Sequence, residues 1–510
     1  MQNARYPIEK RELLLALMIS LVLLVIDFGS VSLYPTVWCD EVSFGEPAIN
    51  LAREGQFVTS VWPMQTAGTF WTANTPLYPL ILSEWIHCFG QSLLALRSLN
   101  YVLISVACLG VWLLTCSFQL SNHRASRLLL LPLIHLAYGV SFAYRCNRPD
   151  MLGLIILILY VASLRIHRTT LRNILLATCG IAAVWTGPQL GILIGIGASL
   201  AWILRWIRFS DVTATAVGGI MGVVAFVFVL HINHAIPNFM ASVALGRTGG
   251  TGIVHSSATK AWQTILSYTG DYSLIPLLAA SAYLTISGWK LFSGQTRKQV
   301  GFLWFWVMLV PALLNTTSKY GYYYSYMVYI PACLLLLLTS DRIRQVEPSA
   351  KWRSRYLVYA AAAAITIGLP TRLIIAKTYI NASSRAVITN EMQRHIHHDD
   401  IALVENAVFF EAKAVTHQIF GEFYFRFGKI TDSEKSTVNV LVIYPKDFDR
   451  YTTQIGGNWE PQGYPFGDTR IAQFDSGSRF FNRLLERHFS SPQMTRAPLQ
   501  IYRRTTPATP

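Results

Sequence analysis

The segment V-W-C-D-E-V-S-F-G-E, residues 37–46, follows the first apolar run of the chain and places Asp40 and Glu41 side by side. Two adjacent acids directly after a run long enough to cross a bilayer, followed by a segment with helical periodicity, indicate a site at the membrane surface. Such a position suits an enzyme that acts on a lipid-linked substrate.

Composition places the chain among the polytopic membrane proteins. Of its 510 residues, 52% are apolar and 14% are charged, and the mean hydropathy is +0.37. The apolar residues are gathered into runs of about twenty, the length that crosses a hydrocarbon core. We predict an all-α membrane protein of about eleven transmembrane helices. The predicted spans are residues 12–33, 95–119, 127–144, 150–167, 172–187, 189–207, 212–232, 272–292, 299–317, 321–339 and 355–377.

The positions of the cations predict the orientation. Basic residues such as Lys10, Arg124, Arg168, Lys298 and Arg344 fall in every second connection, and cytoplasmic loops carry this excess. Much of the formal charge of +15 is therefore a topology signal that faces anionic lipid, so no nucleic-acid partner is needed to explain it. The amino terminus is expected in the cytoplasm and the carboxyl-terminal segment outside.

Two domains are predicted. Residues 1–377 form the transmembrane domain, whose first outer loop, residues 34–94, carries two helices that lie in the interface plane, at 46–54 and 78–89. Residues 378–510 are more polar, with strand-like runs in an alternating pattern, and predict a small extracytoplasmic α/β domain that ends in a disordered tail.

Two later outer connections also carry charge. Arg145 and Arg148 precede Asp150, which follows Pro149 at the predicted start of a helix, where the helix dipole stabilises a carboxylate. Lys319 is a cation on the side where the short loops are otherwise poor in cations. An anion near Lys319 would explain this exception.

Four motifs, taken together, resemble the GT-C superfamily of integral membrane glycosyltransferases. They are D-E-V-S-F-G at 40–45, N-T-P-L-Y at 74–78, R-P-D-M-L at 148–152 and S-K-Y-G-Y-Y-Y at 318–324. The branches with the greatest similarity are the protein O-mannosyltransferases and the aminoarabinose transferases that act on lipid A. The resemblance covers roughly residues 10–340, whereas the carboxyl-terminal domain matches only in position and character.

The resemblance implies an enzyme that moves a hexose or pentose from a polyprenyl-phosphate-linked donor to an acceptor on the outer face of the membrane. The acceptor is a glycan, a lipid or a protein. A central sugar-binding insertion like that of the mannosyltransferases is not evident, which weighs against a protein. The implied partners are the lipid-linked donor, an unidentified extracytoplasmic acceptor and membrane lipids, in a multi-pass protein of a bacterial inner (plasma) membrane.

The resemblance, which points to Asp40, Asp150 and Lys319, and the chemistry of the reaction together give the candidate site residues. The catalytic carboxylate is Asp40, with Glu41 as its substitute, and Asp150 is a second acid that serves the donor or a metal. No cofactor is certain, but Asp40 and Asp150 are candidates for a divalent metal ion. The candidates for donor phosphate binding are Lys319, Arg148 and Arg145. The candidates for lining the substrate are Tyr322, Tyr324, Asn74 and Tyr78.

The chemistry of the reaction agrees with these residue types. An acceptor hydroxyl is a poor nucleophile, so a carboxylate must accept its proton as the oxygen attacks the anomeric carbon. The leaving lipid phosphate gains negative charge, which fixed cations stabilise. Direct displacement with a single base predicts inversion at the anomeric carbon, by analogy with glycoside hydrolysis.

Each residue also has a structural explanation. Asp40 is of a type that caps helices, and Asp150 is of a type that stabilises a helix dipole. Lys319 suits a cation that extends to the interface, and the tyrosines suit an aromatic belt. Taken alone, Lys319 and the tyrosines fit these structural explanations better than a site.

Two other functions compete with catalysis. A transporter or flippase of a lipid-linked glycan would favour charged residues near the middle of the spans and internal repeats, whereas the ionisable residues here gather at the outer ends. A scaffold that only presents its outer domain would give the acidic pair no purpose.

Overall fold

The fold is described from a computed structural model of the chain. The described residues are 9–35, 37–247, 259, 268, 270–315, 324–347, 351–379, 385–427, 430–466 and 499–505. The predicted disordered tail lies outside them, apart from Thr505.

Helices dominate the first three quarters of the chain. The first eleven are α1 Lys10–Gly29, α2 Cys39–Glu54, α3 Leu77–Phe89, α4 Leu93–Ser117, α5 Arg124–His135, α6 Tyr138–Arg145, α7 Asp150–Ser163, α8 Thr169–Thr186, α9 Pro188–Ile203, α10 Phe209–Ile232 and α11 Ile236–Arg247. Helices at Leu274–Gly288, Gly294–Asn315, Tyr326–Val346, Lys351–Ile367 and Leu369–Tyr379 follow.

The apolar runs of the sequence coincide with these helices, which confirms an α-helical integral membrane protein. Seven described helices are long and apolar enough to cross a membrane, and α5 with α6 makes eight if this pair is one bent span. The predicted count of eleven is not confirmed: α8 is not among the described helices that are long and apolar enough, and α7 and α9 have only 14 and 16 residues. Those lengths are below the usual length of a spanning helix.

Two helix breaks contact each other inside the bundle. The chain bends by 58° between α5 and α6, and a second break at Gly368 separates Lys351–Ile367 from Leu369–Tyr379. The backbone N–H of Leu369 donates to the carbonyl of Leu136 at 2.8 Å. A Cβ on Gly368 would lie 1.9 Å from that oxygen. The N–H at one break and the carbonyl at the other therefore satisfy each other, which lipid could not do.

Glycines bring α8 and α10 into close contact. A Cβ on Gly218 would lie 2.0 Å from the carbonyl oxygen of Ala177, and one on Gly180 would lie 2.6 Å from that of Thr215. Small residues of this kind let membrane helices approach until their backbones touch.

The first outer loop is packed more tightly than predicted. Its helix begins at Cys39 rather than at residue 46, and Ala48 and Ile49 are 0% and 1% exposed. The face that was predicted to lie on the membrane therefore packs inside the protein, partly against α3. Two short strands, β1 Val58–Thr59 and β2 Thr69–Phe70, pair antiparallel in the same loop.

The carboxyl-terminal segment forms the predicted small α/β domain. Its helices include Arg385–His395, Phe409–Val415, Glu422–Phe427, Asp432–Thr437 and Phe448–Ile455. Its strands are β3 Ile401–Val404, β4 Gln418–Gly421, β5 Val440–Ile443, β6 Trp459–Phe466 and β7 Leu499–Arg504. They form one sheet in the order β4-β3-β5-β7-β6, in which β4, β3 and β5 are parallel and β7 runs antiparallel to β5 and β6.

Direct contacts hold this domain on the first outer loop. Ser60 donates from its hydroxyl to the carbonyl of Ile419 at 2.5 Å and accepts from the N–H of Gly421 at 3.3 Å. Glu46 fixes Ser60, because its carboxylate accepts from the N–H of Ser60 at 2.9 Å and, at an oxygen–oxygen distance of 2.5 Å, shares the single hydroxyl hydrogen of Ser60 with the Ile419 carbonyl. Arg53 adds a hydrogen bond to the carbonyl of Lys413 at 3.2 Å. The helix that starts with the acidic pair is thus tied to the domain.

Candidate active site

A cluster of Asp40, Arg148 and Asp150 lies where α2 and α7 begin. The Arg148 guanidinium lies between the two carboxylates: its Nη1 contacts Asp40 Oδ2, and its Nε donates to Asp150 Oδ2 at 2.7 Å. The side chains of Arg148 and Asp150 are each 3% exposed, whereas that of Asp40 is 32% exposed. Asp40 is therefore the member of the cluster that a substrate can reach.

The capping explanation for Asp40 does not match its position. The residue that precedes α2 is Trp38, without a side-chain capping bond, and Asp40 lies inside the first turn. Asp150 is the first residue of α7, with Pro149 before it, so the dipole explanation and the contact with Arg148 apply together.

Glu41 points in another direction from Asp40. Successive residues of an α-helix are rotated by about 100°, so two adjacent acids cannot face the same group. The Glu41 carboxylate accepts two hydrogen bonds of 2.7 Å from Arg97 of α4, and both side chains are 0% exposed. Arg97 also donates to the carbonyl of Val31 at 2.9 Å. Glu41 therefore joins α2 to α4 and to the end of the first span.

Arg145 is held by groups of the protein itself. It donates to Asp27 at 2.7 Å, to the carbonyl of Ser30 at 2.7 Å and to the carbonyl of Tyr34 at 2.8 Å, and its side chain is 0% exposed. Asp27 also contacts His135 Nε2 at 2.7 Å. No sequence pattern assigns a role to Asp27, but the structure places it at the centre of a buried network.

The loop that carries Arg148 is fixed by an asparagine that the sequence analysis did not identify. Asn100 of α4 is 0% exposed, and its amide donates to the carbonyls of Cys146 and Arg148 at 2.7 and 2.9 Å. An amide within an apolar run is the signal that could have identified it, since a buried polar group needs partners.

The predicted substrate-lining residues occupy different environments. Tyr78 is 0% exposed and donates from its hydroxyl to Asn147 at 2.7 Å, next to the Arg148 loop. Asn74 accepts from the N–H of Thr75 at 2.9 Å within a turn. The Tyr324 ring lies 5.5 Å from the Arg148 guanidinium. Lys319 and Tyr322 lie outside the described residues.

Aromatic and acidic groups surround the cluster. The Trp38 ring lies 5.6 Å from the Arg148 guanidinium, within the range of a cation–π contact. Burial, followed by the negative charges of Asp40 and of Glu422, raises the pKa of the Cys39 thiol. Glu422 begins the helix that follows β4, so this part of the carboxyl-terminal domain lies near Cys39, the residue before Asp40.

The described residues do not form a metal site. No group of three or more His, Cys, Asp or Glu side chains within them is placed to hold an ion. The space between Asp40 and Asp150, the predicted pair of ligands, contains the Arg148 guanidinium. A cation in that place would meet an arginine that is already hydrogen-bonded to both acids.

The fold is similar to several solved structures. ArnT from Cupriavidus metallidurans, in a crystal structure with bound undecaprenyl phosphate, aligns with a TM-score of 0.61 and 12% identity over 98% of this chain and 99% of that one. The arabinofuranosyltransferase AftD from Mycobacteria aligns with a TM-score of 0.53 and 15% identity over 98% of this chain but only 40% of that one. The Archaeoglobus fulgidus oligosaccharyltransferase in its apo form aligns with a TM-score of 0.52 and 10% identity over 86% of this chain and 69% of that one.

Sequence comparison adds nothing to these similarities, because no family model and no curated protein matches the chain. All three structures are GT-C membrane glycosyltransferases. The chain therefore has the GT-C fold that its motifs predict.

Proposed function

We propose that the protein is a membrane glycosyltransferase that moves a sugar from a polyprenyl-phosphate donor to an acceptor on the outer face of the membrane. The observation that carries this proposal is the partly exposed Asp40 carboxylate, which a buried arginine orients at the start of a helix that contacts the carboxyl-terminal domain. The GT-C fold supports it, as does the polyprenyl phosphate bound to ArnT.

Asp40 acts as the general base. The acceptor hydroxyl gives its proton to the Asp40 carboxylate while its oxygen forms a bond to the anomeric carbon. The bond from that carbon to the phosphate oxygen breaks, and the polyprenyl phosphate leaves with the electron pair. One displacement inverts the anomeric configuration, and retention in the product, measured by NMR, would contradict this step.

The other charged residues divide into two roles. Glu41 and Arg145 are buried in ion pairs, so we assign them to positioning α2 and α6 rather than to the chemistry. Arg148 and Lys319 stabilise the negative charge that develops on the leaving phosphate. Arg148 can do this while its second contact, to Asp150, keeps it in place.

Substitution of the base tests the proposal directly. With an undecaprenyl-phosphate-linked hexose or pentose as the donor, Asp40→Asn should reduce the release of undecaprenyl phosphate by about 10²- to 10⁴-fold, the usual contribution of a general base. The fold should persist, because Arg148 keeps Asp150 as a partner. Glu84→Gln is the control, since Glu84 is an exposed acid in α3 of the same loop.

Two results would reject the assignment. Turnover by Asp40→Asn at the wild-type rate would remove Asp40 from the chemistry. Movement of the lipid-linked sugar across the membrane without release of undecaprenyl phosphate would identify a transporter instead.

A further inference from the structure

Arg372 is a buried cation for which the described protein supplies no counter-charge. It lies in the helix Leu369–Tyr379 and is 2% exposed. Its Nη1 contacts the hydroxyl of Tyr34, and its guanidinium carbon lies 4.8 Å from the Tyr34 ring centre and 3.1 Å from that of Tyr138. Its Nε has no hydrogen-bond acceptor.

The other buried arginines differ from Arg372 because each of them contacts a carboxylate. Six arginines are buried among the residues that the structure describes: Arg97, Arg127, Arg145, Arg148, Arg172 and Arg372. The first five each contact a carboxylate at 2.5 to 2.9 Å. Arg372 is the one without such a contact in this part of the chain.

The rest of the sequence offers few alternatives. The acids outside the described residues are Asp468, Asp475 and Glu486, all in the segment between β6 and β7. An arginine that is buried without a partner costs several kcal/mol, and ionisable groups within membrane domains are usually functional. An anion that binds at Arg372 would remove this cost.

The position of Arg372 relates it to the candidate active site. The Tyr34 ring packs on Phe142 with centres 6.3 Å apart, and Phe142 packs on Trp38 at 5.3 Å. Trp38 in turn faces Arg148. A short series of aromatic contacts thus connects Arg372 to the cluster that contains Asp40.

The two helix breaks explain how the site forms. Tyr138 begins α6 directly after the first break, and Arg372 follows the second break by four residues. The hydrogen bond between Leu369 and Leu136 joins the breaks and so brings Arg372 against Tyr138. Irregular backbone inside a membrane domain is expected only where it is buried or lines a cavity.

We propose that Arg372, with the Tyr34 hydroxyl, binds the phosphate group of the polyprenyl carrier. This inference depends on the proposed function for the identity of the carrier, but phosphate binding can be measured without sugar transfer. The guanidinium suits this ligand because it donates two parallel hydrogen bonds to phosphate oxygens. The phosphate of a bilayer phospholipid has the same chemistry, and the test must separate the two sources.

The test measures binding and stability of the purified full-length protein in detergent. Undecaprenyl phosphate, phosphatidylglycerol and inorganic phosphate are the three probes. Arg372→Met should weaken undecaprenyl phosphate binding by about 10- to 100-fold, the effect of losing a charged hydrogen bond. Arg372→Lys should retain part of the affinity, and Arg344→Met, at an exposed arginine, is the control and should leave it unchanged.

Stability without ligand separates a binding role from a structural one. Because Arg372 leaves no carboxylate behind when it is removed, Arg372→Met should unfold without ligand at the wild-type temperature or above it. The stabilisation that undecaprenyl phosphate gives the wild-type protein should be lost. A lower unfolding temperature without ligand that Arg372→Lys fails to restore would overturn the inference in favour of packing.

The remaining outcomes also decide. Unchanged undecaprenyl phosphate binding in Arg372→Met overturns the inference, as does a loss confined to phosphatidylglycerol or to inorganic phosphate. If Arg372→Met binds undecaprenyl phosphate normally while Asp40→Asn abolishes sugar transfer, the phosphate site at Arg372 is wrong and the proposed function stands. If Arg372→Met loses binding but the wild type transfers no sugar, the reverse holds.

Discussion

Removal of the Glu41 carboxylate should destabilise the protein more than removal of any exposed acid. Glu41 and Arg97 are both 0% exposed and share two hydrogen bonds of 2.7 Å. Glu41→Gln leaves the Arg97 charge buried without compensation, which costs about 3 to 5 kcal/mol. The variant should unfold at a lower temperature in detergent, and its turnover should fall with the folded fraction.

The double variant Glu41→Leu with Arg97→Leu separates stability from chemistry. It replaces the ion pair by apolar side chains, a change that is often neutral or favourable once both charges are gone. The carbonyl of Val31 loses its bond from Arg97, a cost of about 1 to 3 kcal/mol. The double variant should therefore recover most of the stability that the single variant loses, and its turnover per folded molecule should approach the wild-type value.

A matched pair in the carboxyl-terminal domain provides the control. Glu411 and Arg385 also form a contact of 2.7 Å, but their side chains are 9% and 14% exposed. Glu411→Gln should cost less than Glu41→Gln because water partly solvates the remaining arginine. A double variant of the Glu41 pair that is stable but inactive would refute our reasoning and make Glu41 a chemical group. Full stability of Glu41→Gln would refute it as well.

Two further predictions concern stability. Burial raises the pKa of Glu405 well above its usual range, so the free energy of unfolding should fall as pH rises above about 4.3, by about 1.4 kcal/mol per pH unit until the folded-state pKa is passed. In thermal unfolding, Glu405→Gln should thus be more stable than wild type at pH 8 but not at pH 4. The control Glu460→Gln, at an exposed acid, should show no such difference between the two pH values. Equal gains in stability for Glu405→Gln at both pH values would contradict the prediction. Gly218→Ala should unfold at a lower temperature because its Cβ would lie 2.0 Å from the Ala177 carbonyl, whereas Gly219→Ala, with nothing within 4 Å, should not; equal effects would show that α8 and α10 do not depend on this contact.

The sequence predicted the helices better than their ends and breaks. Long apolar runs identify buried or spanning helices because hydrophobic length is a local property. The break between α5 and α6 was not predicted, since Leu136 and Ala137 are ordinary helix residues. The bond from Leu369 that satisfies this break comes from more than 200 positions later in the chain. Likewise, the loop face of Ala48 and Ile49 was expected at the membrane, but it is buried in a hydrophobic cluster that includes Phe409 and Phe410, which are remote in sequence.

The charged residues show the same division between local and distant information. Asp40, Arg148 and Asp150 were predicted to share one site, and they lie in contact. The sequence could not predict which charges are neutralised internally, because the partners are far apart along the chain. Arg145 was expected to bind phosphate, yet Asp27, 118 positions away, contacts it at 2.7 Å. Arg372 was assigned no role from the sequence, yet of the six buried arginines among the described residues it is the one that contacts no described carboxylate.

Accessibility, rather than residue type, selects the base in the proposed mechanism. Asp27, Asp40, Glu41 and Asp150 are carboxylates that all contact buried arginines near the first outer loop, but the side chains of Asp27 and Glu41 are 0% exposed and that of Asp150 is 3% exposed. Each of these three is already engaged by a buried arginine. Asp40 also contacts an arginine but is 32% exposed, so its Oδ1, which among the described residues accepts only a long contact of 3.8 Å from the Cys39 thiol, can meet an acceptor hydroxyl without unfolding a helix junction. A general base must reach the proton that it abstracts. The buried ion pairs thus hold the helices in place around Asp40, the partly exposed carboxylate of this arginine cluster.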